Sequence, residues 1–144
     1  MSLVDTLQNP AKRDPVIQDC CQLVDAEVAA KGGLSGVVVK AGYAAVKGIK
    51  PGFIREVVEK LLPEFAAKLD PIWTEGKAKG DAKGHFTSQR SRVADELLSV
   101  TDAKSKNAKS SLVRSTYDKL RPSAKKNVEE AVPRLADLLA KHAG

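Results

Sequence analysis

Few residues in the chain are of a type and spacing able to do chemistry. Cys20 and Cys21 come first. On a helix, adjacent side chains point about 100° apart, so the pair makes a poor metal chelate and cannot bridge to itself. No Cys-x-x-Cys and no ordered histidine cluster accompanies it, whereas zinc asks for four N/S ligands. One of the two cysteines is expected on an apolar stripe as a small hydrophobe, since a reactive thiol needs an activating neighbour. His85 and His142 are far apart in the chain, and both read as exposed. Acidic pairs such as Asp25/Glu27 and Glu129/Glu130 read as solvated helix faces. The sequence therefore implies no cofactor, no metal and no catalytic residue, and the protein is expected not to be an enzyme.

Two motif matches dissolve on inspection. Tyr43-Ala44-Ala45-Val46-Lys47 has the Tyr-x-x-x-Lys spacing and so resembles the catalytic pair of short-chain dehydrogenases. Those enzymes also need a strand running into a glycine-rich dinucleotide loop. Gly32-Gly33-Leu34-Ser35-Gly36 has the wrong spacing and follows a helix. The Gly/Lys-rich run 76–84 lacks the Gly-Lys-Ser/Thr ending of a phosphate loop.

Charge is the other chemical feature. The chain of 144 residues has a formal net charge of +6, with 24 Lys+Arg against 18 Asp+Glu. Residues 74–126 hold 13 basic and 6 acidic side chains, a net of +7, so the excess is one regional feature. Lys77, Lys79, Lys83, Arg90, Arg92, Lys104, Lys106 and Lys109 are the candidate anion-binding residues, able to release counterions from a weakly held nucleic acid or other polyanion. Against this, aromatics are 4% of the chain, and the region has few for base stacking. No run approaches the length of a membrane span, and Met1 to Asp5 lacks the basic and apolar regions of a secretory signal. A reducing, cytoplasmic location is expected.

The elements that must position these residues are helical throughout. After a short capped turn at Ser2 and Asp5, a helix from about 11–15 to 31 carries Val16/Ile17, Cys20/Cys21, Val24 and Val28 at three- and four-residue intervals. Lys31-Gly32-Gly33 should end it with a left-handed glycine cap. A second helix, capped by Ser35, runs to Ile49, and its glycines suit close approach of another backbone. A third opens at Pro51 and is expected to kink or break at Pro63, with another start at Asp70-Pro71. Residues 74–84 read as a linker. Beyond it come a helix over 86–105, a short helix from Ser110 or Ser111 to Leu120, and a last helix opened by Pro122 and interrupted by Pro133.

The halves also resemble each other. Residues 58–69 align without gaps on 128–139, with five of twelve positions identical, Pro63 and Pro133 among them. Val39-Lys40-x-x-Tyr43-x-x-Val46 matches Val113-Arg114-x-x-Tyr117-x-x-Leu120, and a Lys/Arg-Pro step follows each block. The expected architecture is all-α, one domain over 1–144, a bundle of six or seven helices in two pseudo-symmetric three-helix halves, 11–73 and 85–142. Two copies are too few for an open solenoid.

Lys50-Pro51-Gly52, Leu61-Leu62-Pro63-Glu64-Phe65-Ala66, Leu69-Asp70-Pro71-Ile72-Trp73 and Val100-Thr101-Asp102-Ala103 resemble an uncharacterised family of small bacterial helical proteins. The resemblance implies a bacterial cytoplasmic protein, and its motifs are structural. The expected role is a non-enzymatic helical interaction or scaffold protein with an unknown protein partner or a second copy of itself. The alternative is a polyanion- or nucleic-acid-binding accessory protein using residues 74–126.

Overall fold

The computed structural model describes residues 3–143, and among these the secondary structure is helical, in seven helices that form one domain. They are α1 (Leu3–Gln8), α2 (Pro10–Ala30), α3 (Gly33–Lys47), α4 (Phe53–Ala78), α5 (Ala82–Ser88), α6 (Arg90–Lys106) and α7 (Ser111–Ala143). Ser2 and the side chain of Ser35, both expected caps, lie outside the described residues.

Several boundaries differ from the sequence expectation. The chain does not break at Pro63: α4 runs through Pro63 and Pro71. Pro63 leaves the Glu59 carbonyl without its helical donor, and Arg13 Nη2 of α2 donates to that oxygen at 3.4 Å. Asp70 starts no new helix; its Oδ1 accepts from the Leu3 backbone N–H at 2.8 Å and caps α1 instead. Pro122 likewise stays inside α7, which fuses the two expected last helices into one. The expected linker is mostly helical, with only residues 79–81 between α4 and α5. Gly80, at φ 80°, makes that reversal possible, and Asp81 then caps α5 by accepting from Gly84 N–H. The helix expected over 86–105 is divided at Gln89 into α5 and α6. At the end of α2 the left-handed glycine cap is absent: Lys31 is extended, and the chain turns directly into α3.

The core gathers Leu3 and Leu7 of α1, Val16 and Ile17 of α2, and Leu62, Ala66, Leu69, Ile72 and Trp73 of α4. Phe86, Val93, Val132, Ala136, Leu138 and Leu139 complete it from α5, α6 and α7. Trp73 and Phe86 meet edge to face at 5.5 Å, a geometry worth about 1 kcal/mol beyond the area it buries. α1 packs on α2, α4 and α7, and α5 packs on α6, α7 and α4. α2 packs on α4 and α7, α6 packs on α7 and α4, and α3 lies against α7. Among the described residues no helix is long and apolar enough to cross a membrane.

Candidate functional site

The α2 stripe that sequence periodicity reveals does not pack solidly. Val16, Cys20, Leu23, Val24 and Val28 instead form one wall of a partly open, apolar pocket of about 320 Å³. From Val16 to Lys31 this wall extends about 22 Å at the helical rise. Val58, Leu62, Phe65, Ala66 and Leu69 of α4 and Val128, Ala131, Leu135, Leu138 and Leu139 of α7 form the other walls, with Leu7, Val39 and Leu97 also in the lining. Of the lining residues only Glu27, Lys31 and Asn127 are polar. An apolar pocket of this size is of the kind that holds small apolar molecules.

The polar residues belong to an ion-pair seam that closes α2 onto α7. Lys31, at the C-terminal end of α2, has a side chain only 9% exposed, and its three ammonium hydrogens have three acceptors. Nζ lies 2.9 Å from Glu130 Oε2, 3.3 Å from Glu27 Oε2 and 3.4 Å from the Asn127 carbonyl oxygen. Glu27 is held from its other side by Arg134 Nε at 2.8 Å. The Lys31 ammonium holds the Glu130 carboxyl below its ordinary range. Further along, Asp19 accepts from Lys141 Nζ at 2.8 Å and lies 2.7 Å from His142 Nε2, and Lys12 donates to the His142 carbonyl at 3.0 Å. The partners climb α2 while descending α7, so the two helices run antiparallel with the cavity between them.

The histidine expectation is corrected by this packing. His142 has a side chain 9% exposed and His85 one 8% exposed, because α7 packs the first against Asp19 of α2 and the α4–α5 reversal encloses the second. His85 Nδ1 lies 3.5 Å from Lys79 Nζ, and its Nε2 lies 3.5 Å from Glu75 Oε1.

Cys20 behaves as the small hydrophobe expected of one cysteine. Burial against the cavity pushes its thiol up to about 12. Cys21, on the next face, is also raised by burial, against the lowering influence of Arg55. Both are free. Tyr43 and Lys47 do not form a proton-transfer pair. The Tyr43 hydroxyl donates to Asp25, and burial followed by that hydrogen bond moves it upward, the reverse of what a catalytic tyrosine needs. Among the described residues no group of three His, Cys, Asp or Glu side chains is placed to hold a metal ion.

The candidate anion-binding residues are all exposed, and they fall into two groups rather than one patch. Lys77, Lys79, Lys83, Arg90 and Arg92 surround α5 and the start of α6, while Lys104, Lys106 and Lys109 lie at its far end, about 18 Å away along the helix. Three are already ion-paired: Lys83 with Asp137, Arg92 with Glu75 at 2.9 Å, and Lys104 with Glu64 at 3.2 Å.

The cavity was the feature missed by sequence reasoning. The apolar stripes that line it were visible, but a stripe facing a void has the same period as one facing a solid core. No curated protein and no solved structure shows significant similarity to the chain. A family match covers residues 3–143, nearly the whole chain, and the protein therefore belongs to the family of unknown function DUF6918.

Proposed function

We propose that the protein is a non-enzymatic binding protein whose ligand is a small aliphatic molecule held between α2, α4 and α7. The observation that carries this reading is the apolar cavity of about 320 Å³. Its volume falls within the range of small-molecule sites, about 300–1,000 Å³. At about 30 Å³ for each small group, it accommodates about ten carbons. The reading keeps the expectation of a non-enzymatic protein and puts a small molecule in place of the expected protein partner.

Decan-1-ol is a suitable first probe. Calorimetric titration should give saturable one-to-one binding with a negative heat-capacity change, the robust mark of apolar burial. Thermal unfolding should shift upward by linkage, about 2.7 kcal/mol of added stability at a hundredfold excess over Kd. Absence of saturable binding by both decan-1-ol and decanoate would remove the proposal.

We also infer an internal duplication, in which the two halves would share a single pocket. In this reading α1, α2, α3 and α4 correspond to α5, α6 and the two parts of α7 either side of Pro122. The packing of α1 on α4 and α7 is then matched by that of α5 on α7 and α4, and the packing of α2 on α7 by that of α6 on α4. Tyr43 donates to Asp25 with Lys47 3.9 Å from the same carboxylate. Tyr117 donates to Asp102 with Arg121 at 2.9 Å. A Cβ on Gly42 would come within 3.1 Å of Thr116, the residue in the corresponding position, as expected near a twofold axis. Val58/Val128, Phe65/Leu135 and Leu69/Leu139 are matched pairs on the cavity wall. Exchanging the axis residues, Gly42→Thr with Thr116→Gly, should recover most of the stability that Gly42→Thr alone loses. Additive losses would count against equivalence.

A further inference from the structure

The pocket is not equally enclosed along its length. Because α2 and α7 run antiparallel, Val16 and Leu139 lie toward one end, and Val28 and Val128 toward the other. At the first end Leu7, Val16 and Leu139 are at most 2% exposed. Toward the second, Val24, Val28, Val128 and Ala131 are only half-buried. Glu130 and Arg134, beside them, are 48% and 51% exposed. The pocket is therefore blind at the Val16 end and meets solvent at the Val28 end.

The polar groups at the solvent end are engaged with one another. Lys31 has its three acceptors, and Glu27 is bound by both Lys31 and Arg134. The Asn127 side chain donates to Ser123 Oγ at 3.4 Å, while its backbone carbonyl accepts from Lys31. A polar head drawn inside would lose water and gain no partner in exchange. A polar head left at the solvent end loses nothing.

On the reading that the pocket binds an aliphatic ligand, we propose that this ligand is a single-chain amphiphile bound tail-first. Its terminal methyl lies at the blind end against Val16 and Leu139, and its head group stays in water beyond the C-terminal end of α2. The protein then selects the chain and is indifferent to the head, so the chain can be carried by a group too large for the pocket. An enclosed ligand would instead be limited to heads that fit, with the chain, inside about 320 Å³.

The test is calorimetry on the full chain with decan-1-ol, decanoate and decyl maltoside, each below its micelle concentration. The three share a chain, and the disaccharide head of the last cannot enter the pocket. All three should bind within about threefold of one another, while octyl maltoside should bind about fifteenfold more weakly than decyl maltoside, at about fourfold for each methylene lost. Val16→Ala, which deepens the blind end, should improve dodecyl maltoside several-fold relative to decyl maltoside, and Val28→Ala should not. Saturable binding of decan-1-ol with decyl maltoside more than about tenfold weaker would overturn the tail-first assignment and leave the pocket reading intact. So would a chain-length preference that Val28→Ala shifts and Val16→Ala does not. Failure of all three decyl probes to bind would overturn both.

Discussion

Ala131→Leu is the sharpest test of the cavity, because a void and a filled core give opposite signs. Ala131 lies on the α7 wall and is partly buried. Leucine adds three carbons, each worth about 0.8 kcal/mol when buried. The gross gain is about 2.4 kcal/mol, reduced by about 1 kcal/mol for the rotamer freedom lost. The variant should therefore be about 1.5 kcal/mol more stable. For a chain of 144 residues this corresponds to a rise of about 3–6 °C in Tm. In an interior already filled, the same change would cost about 1–3 kcal/mol through overpacking. Urea unfolding is the appropriate assay, since a higher midpoint at constant m reports stability alone. The new side chain should also occupy room needed by the ligand. If about two methylenes are expelled, decan-1-ol affinity should fall about tenfold. A variant destabilised by more than about 1 kcal/mol, with binding unaltered, would refute both the void and its use.

Three further outcomes follow from the site geometry. Tyr117→Phe, which removes the hydroxyl shared between Asp102 and Thr101, should cost about 1 kcal/mol at neutral pH in chemical denaturation. Burial, then the bond to Asp102, raises the Tyr117 hydroxyl to about 12. Its contribution should thus be complete below the unfolded value near 10 and lost as pH rises through about 12, a step the phenylalanine variant should lack. In a Cys21→Ser background, iodoacetamide should label Cys20 only on the timescale of opening, and bound decanoate should slow it further; rapid labelling of the native protein would show the α2 wall to be exposed. Binding to unrelated duplex DNA should be weak and vanish at physiological salt, because Lys83, Arg92 and Lys104 already have carboxylate partners. Salt-dependent binding still measurable at physiological ionic strength would favour the polyanion alternative instead.

The helical class was legible because apolar residues recur every three or four positions and because proline and glycine punctuate the chain. Boundaries were less legible where a distant group satisfied what a proline left open. Arg13 supplies the donor that Pro63 removes from Glu59, so a local breaker becomes a mid-helix residue. Asp70 was read as a local start signal and instead caps a helix 67 residues away in sequence. Histidine burial was hidden for the same reason, since it depends on what lies over the ring rather than on neighbours in the chain.

The sequence by itself determined the secondary structure class, the α2 stripe, the placement of one cysteine upon it and the regional charge excess. All four depend on residue order or composition within one segment. Tertiary structure decided that the stripe borders a void, that Lys31 rather than the basic region sits beside it, and that the eight candidate anion-binding residues divide into two groups. Periodicity records which face of a helix avoids water. Whether facing side chains meet or leave a gap depends on their volumes and on the distance between helix axes, set by all seven helices together.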